Sequence, residues 1–408
     1  MKKTSVQDLA VCGSTPAFTV PLHVGRPNVG DRDALHAEID CILERRWLTN
    51  AGPTVHAFET SLAERLGVRH CIAVCNATVA LEVSIRALGL TGEVIVPAFT
   101  FIATAHAARW LGLDPVFCDV DPATHNLDPT AVEAAITSRT TGIIGVHLWG
   151  NPCPVDDLAS IASRHGLALL FDAAHACLCS RGGTMIGNFG SLEVFSFHAT
   201  KFLNTFEGGA IATNRDDLAA TIRLMINFGF AGYDDVASVG TNGKMHEVSA
   251  AMGLNSLDGA ETFIAANRTN YESYRAALSG VPGFTMLRYD DSNKSNFQYV
   301  VVEVDAERAG LSRDELVEVL RLEGVLARRY FYPGCHRMQP YASEPRWQHA
   351  SLPQTDRLAS AVMVLPTGAA VEHVDVLTIA SVVRTALSDP DTIRRALAAR
   401  EPRRAVKQ

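Results

Sequence analysis

The feature that most constrains this chain is an alternation of short, largely apolar runs with helical segments over residues 71–213. The runs fall at 71–74, 94–96, 116–120, 143–147, 168–171, 194–197 and 210–213. Segments with helical spacing at 79–90, 103–111, 129–136 and 155–165 separate most of them. A strand that is apolar throughout has to be covered on both faces, and helices between parallel strands supply that cover. The last two runs are joined by a loop instead of a helix. The predicted class is therefore α/β: a mostly parallel, mixed seven-stranded sheet with helices on both faces.

The flanks have a different texture. Residues 33–46 place Leu35, Ile39, Ile42 and Leu43 on one helical face, and Asn50-Ala51-Gly52-Pro53 breaks that helix before a second at 55–66. Beyond residue 255 the pattern predicts a long helix at 257–278, a strand at 298–304, a helix at 313–323, a Pro/Gly/Tyr-rich segment at 328–341 and a final helix from about Glu372. The expected organisation is a loose leader (1–20), a large α/β domain (21–255) and a smaller C-terminal α+β domain (256–400).

Composition narrows the class of partner. A formal net charge of −8 with no long Lys/Arg run leaves no basic face for nucleic acid, so Arg394-Arg395 reads as the end of a solvated helix. The nine cysteines show no disulfide spacing and lie mostly in apolar runs, which fits small buried side chains and a cytoplasmic setting. Thr4 to Asp8 interrupts any signal-like apolar stretch, and no run of about 20 apolar residues predicts a membrane span. No metal is expected.

In parallel α/β sheets ligands bind beyond the carboxyl ends of the strands, so polar residues just after the apolar runs carry the most information. Asn76-Ala77-Thr78 opens a helix, where free amides and the helix dipole favour a phosphate; the residues alone fit a plain helix cap as well. Asp172 ends a strand and is followed by Ala173-Ala174-His175. An acid there either caps a helix or pairs with a cationic ring nitrogen, and His175 either orients it, touches the ligand or is a satisfied core histidine. Lys201 follows Ser196-Phe197-His198-Ala199-Thr200, and Phe197, Phe202, Leu203 and Phe206 argue for burial, which lowers a lysine pKa and makes a nucleophile and base. Phe101, after the run at 94–96, offers a ring for stacking or simply for the core. Glu207-Gly208-Gly209 permits a tight return into the next strand.

These motifs resemble those of the DegT/DnrJ/EryC1/StrS sugar aminotransferases. The resemblance runs from about Pro21 to Leu387. It rests on Trp47-Leu48-Thr49-Asn50-Ala51-Gly52-Pro53, Asn76-Ala77-Thr78, Phe171-Asp172-Ala173-Ala174-His175, Ser196 to Lys201, Glu207-Gly208-Gly209 and Gly240-Thr241-Asn242-Gly243-Lys244-Met245. It implies the fold-type-I architecture of pyridoxal 5′-phosphate enzymes, with pyridoxamine 5′-phosphate as the alternate cofactor form. Lys201 becomes the Schiff-base lysine and proton carrier, Asp172 the partner of the pyridine nitrogen, and Ala77, Thr78 and Ser196 the phosphate contacts. Phe101 becomes the stacking ring. Asn242 would reach the cofactor phosphate of a neighbouring subunit, which implies a homodimer with shared sites.

The implied reaction transfers an amino group from L-glutamate to a dTDP- or UDP-linked 4-keto-6-deoxyhexose. His198-Ala199-Thr200-Lys201, where C3-acting relatives carry Tyr-Pro, resembles the C4-acting members. Lys201 itself sets the chain apart from the sugar dehydratases, which carry histidine there. Amination at C3, dehydration and a non-catalytic regulator on the same fold stay open as alternatives. For the anionic sugar nucleotide the candidates are Arg329, Tyr330, Tyr332, His336 and Lys244, and a solvated loop with aromatic packing is the competing reading.

Overall fold

The computed structural model describes residues 3–348 and 350–400. Seven strands form the central sheet: β1 (His70–Val74), β2 (Glu93–Pro97), β3 (Asp114–Cys118), β4 (Thr140–Val146), β5 (Ala168–Asp172), β6 (Leu192–Ser196) and β7 (Gly209–Thr213). Their spatial order is β1-β7-β6-β5-β4-β2-β3. β7 runs antiparallel to both its neighbours, and every other pair is parallel. The sheet is therefore mixed, and the reversal falls at the loop connection between 197 and 208.

The pleat divides the apolar runs between two faces. On β1, Ile72 and Val74 enter one core while Cys71 and Ala73 enter the other. The first core is closed by helices α3 (Ala77–Ala87) and α4 (Ala103–Trp110), the second by α2 (Pro53–Leu66), which follows α1 (Arg32–Arg45), and by α8 (Glu247–Asp258). Helices α5 (Pro129–Ala135), α6 (Val155–His165) and α7 (Asp216–Met225) complete the crossovers and the edge. Several ends carry the signals that the sequence announces. Asn76 caps α3 by accepting from the Val79 amide, and Gly67 and Gly166 end α2 and α6 in the left-handed region.

The C-terminal part is built on an antiparallel sheet of β8 (Phe284–Met286), β9 (Val300–Val304) and β10 (Val362–Leu365). Helices α9 (Ala260–Ala277), α10 (Arg313–Leu322) and α11 (His373–Ser388) pack on it. The helix expected over 257–278 begins three residues later, because the chain breaks at Gly259 between α8 and α9. A Cβ at Gly259 would stand 2.7 Å from the Phe263 ring, so a larger residue at the joint would have to displace that ring. The nine cysteines are unpaired and six are buried. Among the described residues no helix is long and apolar enough to cross a membrane.

The leader is not loose where it is described. Leu9, Ala10 and Val11 are buried. The Glu323 carboxylate accepts from the Ala10 and Ala17 amides at 2.6 and 2.7 Å, and Lys3 Nζ lies 3.3 Å from it. Leu22 and His23 then pair in parallel with Val325 and Leu326. The physical reason is a buried charge that the leader alone satisfies: without these amides and Lys3, Glu323 would stand desolvated and unpaired. Replacing Glu323 by Ala should lower unfolding free energy by about 3 kcal/mol. It should also open residues 3–20 to limited proteolysis, read by denaturant midpoint and by the cleavage pattern.

Candidate active site

The carboxyl ends of β1, β2, β4, β5 and β6 bring together most of the residues that the sequence singles out. Asp172, the last residue of β5, is buried. Its carboxylate accepts from the Thr104 hydroxyl at 2.8 Å and from the Ala174 amide at 3.1 Å. Burial nonetheless pushes its pKa up, against the lowering effect of those two bonds and of the Lys201 charge. An ordinary capping aspartate would not be left so short of compensation. The carboxyl is poised for a further cationic partner.

Lys201 sits in the loop that leaves β6. That loop closes on itself through the Lys201 amide to the His198 carbonyl (2.8 Å) and the Thr205 amide to the Phe197 carbonyl (2.9 Å). Phe197, Phe202 and Leu203 are buried around it, whereas Phe206 is exposed. Desolvation lowers the lysine to about 8, with Asp172 opposing the shift. At pH 7 roughly a tenth of the amine is therefore free, far more than for an ordinary lysine, which is what a nucleophile and base require.

His175 is buried, and the backbone amide of Trp149 donates to its Nδ1 at 3.2 Å. A neutral ring that accepts at Nδ1 carries its proton on Nε2. Burial and the nearby Lys201 hold His175 well below the usual histidine range, so it stays neutral and Nε2–H is the available donor. Trp149 presents that amide from a left-handed conformation, φ 63°. Such a backbone costs about 1–2 kcal/mol in a non-glycine residue. The surroundings hold it there: its indole N–H donates to His125 Nδ1 at 3.1 Å, and its ring stacks on Phe331 at 5.1 Å and on His175 at 5.8 Å.

The phosphate-type turn lies at the start of α3. The amides of Ala77 and Thr78 occupy the first helical positions, which have no intrahelical acceptor. A Cβ on Gly209 would come within 2.8 Å of the Ala77 nitrogen, so only glycine lets β7 lie this close to the turn. Ser196 ends β6 opposite Gly209 in the register. Phe101, two residues before α4, is 57% exposed.

The remaining candidates divide. Tyr330 joins the aromatic wall, stacked on Phe331 at 5.1 Å and 6.5 Å from Trp149. Lys244 bonds the Asn227 side chain at 2.8 Å, and Asn242 is exposed on the same segment, which bridges to Val74 at the end of β1. Arg329 is paired with Asp314 at 3.2 Å and lies against the half-exposed Tyr332 ring. His336 is fully buried, with Nε2 turned to Asp356 at 3.1 Å. The structure does not bring Arg329 or His336 into the wall around Lys201. Sequence reasoning missed Thr104, Trp149 and Tyr299, whose hydroxyl is 3.3 Å from Lys201 Nζ. Thr104 carries no signal in a helical segment, and two aromatic residues next to strands read as core.

Against known proteins, a model of the DegT/DnrJ/EryC1/StrS aminotransferase family matches residues 31–384. The chain is 36% identical over 346 residues to a dTDP-4-amino-4,6-dideoxy-D-glucose transaminase of Shigella dysenteriae, covering 85% of this chain and 94% of that one. Among solved structures it is similar to DesI in the presence of its TDP-sugar product, with a TM-score of 0.92, 48% identity, and 97% and 100% of the two chains covered. It is also similar to Helicobacter pylori PseC, an aminotransferase involved in the biosynthesis of pseudaminic acid. There the TM-score is 0.83 at 27% identity, and 90% and 99% of the chains are covered.

The lowered lysine has a measurable sign. A folded-state pKa of about 8 means that the folded chain binds fewer protons than the unfolded chain from about pH 8 to the ordinary lysine value. Stability attributable to Lys201 is therefore least below pH 8 and grows as pH rises through that window. The stability difference between the cofactor-free protein and its Lys201→Met variant should shift by a few kcal/mol in favour of the lysine between pH 7 and 10.5. Paired denaturant titrations at the two pH values check this.

Proposed function

The chain belongs to the DegT/DnrJ/EryC1/StrS aminotransferase family, and from that premise we propose that it carries an amino group from L-glutamate to C4 of a dTDP-linked 4-keto-6-deoxyhexose, using pyridoxal phosphate. The observation that carries this reading is the buried pair of Asp172 and Lys201 at the ends of β5 and β6. The name of the Shigella transaminase and the TDP-sugar product of DesI support the substrate class.

The residues present fit the cofactor. When bound, pyridoxal phosphate supplies an aldehyde carbon that accepts the amino group and a ring that draws electrons from the bond being broken. Asp172 forms no ion pair among the described residues, with Lys201 acting on it only through its field, and a protonated ring nitrogen would supply one. The Ala77 and Thr78 amides, the Ser196 hydroxyl and the closely approached Gly209 form the cradle for a phosphate. Phe101 offers a face for stacking, and His175 offers Nε2–H to an acceptor. Lys201, with its amine half neutral near pH 8, would carry a proton from the donor's Cα to the carbon that receives the amino group in one half-reaction, and from that carbon to C4 of the sugar in the other.

The proposal includes a homodimer with shared sites. Trp47, Leu48, Trp110, Phe228, Phe230, Tyr233 and Val239 are all exposed. Trp110, Val239 and Thr241 line one cavity, so part of this apolar surface is contiguous and adjoins Asn242. An apolar face of this kind needs cover, and a second copy would bring its Asn242 to the first copy's phosphate cradle.

Three outcomes test the reading. Protein loaded with pyridoxamine phosphate should aminate a 4-keto dTDP-6-deoxyhexose in a single turnover, and a clear preference for the 3-keto isomer would move the assignment to C3. Lys201→Ala should lose steady-state turnover by at least about 10³-fold while keeping its melting temperature. Asp172 has a sign of its own. Its folded-state pKa is raised, so stability falls as pH rises through the carboxylate range. At neutral pH the cofactor-free Asp172→Asn protein should therefore melt no lower than the parent, and pyridoxal phosphate should raise the parent's melting temperature more than the variant's.

A further inference from the structure

Lys201 Nζ has one protein hydrogen bond among the described residues, to the Tyr299 hydroxyl at 3.3 Å. Tyr299 comes from the other part of the molecule. It directly precedes β9 of the C-terminal sheet and reaches across to a loop that hangs from β6. Its mounting is stiff. The Tyr289 hydroxyl donates to the Tyr299 carbonyl at 2.8 Å, with the Trp149 carbonyl 3.1 Å away. Asn296, three residues earlier, donates to the His175 and Cys177 carbonyls at 2.9 and 3.1 Å. The ring lies against His175 (4.5 Å) and edge-on to Trp149 (5.3 Å). This is a great deal of support for one hydroxyl, and that hydroxyl points at the amine.

We propose that Tyr299 is a positioning residue for Lys201, holding the lysine amine in place, in both of its protonation states, whenever the amine is free. The inference rests on the reading of Lys201 as the proton carrier. A hydroxyl is suited to the task because it accepts from an ammonium and donates to a free amine. Phenylalanine could do neither. The groups that face this contact are Asp172 and His175 on the Lys201 side, and Tyr330, Tyr289 and Gln298 on the Tyr299 side. Burial holds the Tyr299 phenol well above the usual tyrosine range, so it stays protonated and serves as a hydrogen-bonding group, not as a base. Proton gain and loss remain with the lysine.

The direction of the effect follows. The hydroxyl favours the charged amine by accepting from it, so removing it leaves Asp172 alone to oppose burial and lowers the lysine pKa further. In the cofactor-free protein, acylation of Lys201 by an amine-directed reagent, followed by peptide mass spectrometry across pH, should show a midpoint near 8. Tyr299→Phe should bring the midpoint down by about one pH unit. In the loaded enzyme the same variant should lose about 10- to 100-fold in kcat with both KM values within about twofold. A ring-fluorinated tyrosine at 299, which keeps shape and hydroxyl while weakening the acceptor, should shift the labelling midpoint in the same direction even if the Phe variant folds poorly. An unchanged midpoint in both variants, or a raised KM with unaltered kcat, would overturn the proposal. Failure of the underlying reading would look different: Lys201→Ala itself would retain turnover.

Discussion

Everything near the site depends on keeping a carboxylate and an amine together in a space with little water. Either group buried by itself would neutralise, and each is pushed that way by burial: Asp172 upward, Lys201 downward to about 8. The sheet solves this by geometry. β5 and β6 are parallel neighbours, with Asp172 opposite Val194 in the register, so both chains leave the sheet at the same edge. The short antiparallel return into β7 then keeps the lysine loop over that edge. A helix in place of the loop would have carried position 201 away across a face of the sheet.

Around that pair the polar atoms are matched in sequence from the inside outward. Thr104 reaches Asp172 from α4, and Trp149 fixes the His175 tautomer from the end of β4. The same tryptophan bonds His125, whose Nε2 meets Glu303 on β9 at 3.0 Å, and Glu303 in turn meets Arg357 at 2.7 Å. Behind the strand, His147 Nδ1 accepts from the Cys153 amide, so its Nε2–H faces the buried Glu193 at 3.0 Å. Glu193 also accepts from the Gly187 and Phe189 amides at 2.8 and 2.6 Å. A buried polar network helps specify one structure only when each member is satisfied, and here the satisfied chain links the C-terminal sheet to the site.

How much of this is legible in the sequence follows from the kind of signal each residue carries. The seven runs read as strands because an apolar stretch bounded by helical periodicity has few other uses, and all seven lie within the strands or overlap them. Asp172 and Lys201 stand out because a charged residue at the end of such a run, or among apolar neighbours a few positions beyond it, is costly without a purpose. Tyr299 and Trp149 do not stand out, since an aromatic residue beside a strand also satisfies packing, and its hydroxyl or amide partner lies far away in the chain. Thr104 is invisible for the same reason, 68 residues from its acceptor. The leader misleads in the opposite sense. Its residues are unremarkable until Glu323 is placed beneath them, and only the tertiary structure reveals that its buried carboxylate needs their amides.

Charged residues around the site pose the last question of interpretation, since the proposed substrate is anionic and the chain is acidic. A count of Arg, Lys and His in segment 328–337 overstates the attraction. Arg329 shares Asp314 with Arg313, and His336 and Arg337 share Asp356. Arg328 and Lys244, by contrast, form no ion pair with a carboxylate among the described residues. Arg328 rests on the Tyr330 ring at 5.3 Å, and Lys244 lies 4.8 Å over Phe228 and bonds a neutral amide. A cation kept against an aromatic face retains its field and gives up less on meeting an anion than one already paired. What would matter for the proposed diphosphate is therefore the cations near the site that the fold leaves without acids, of which Arg328 lies against the aromatic wall and Lys244 beside the turn that opens α3.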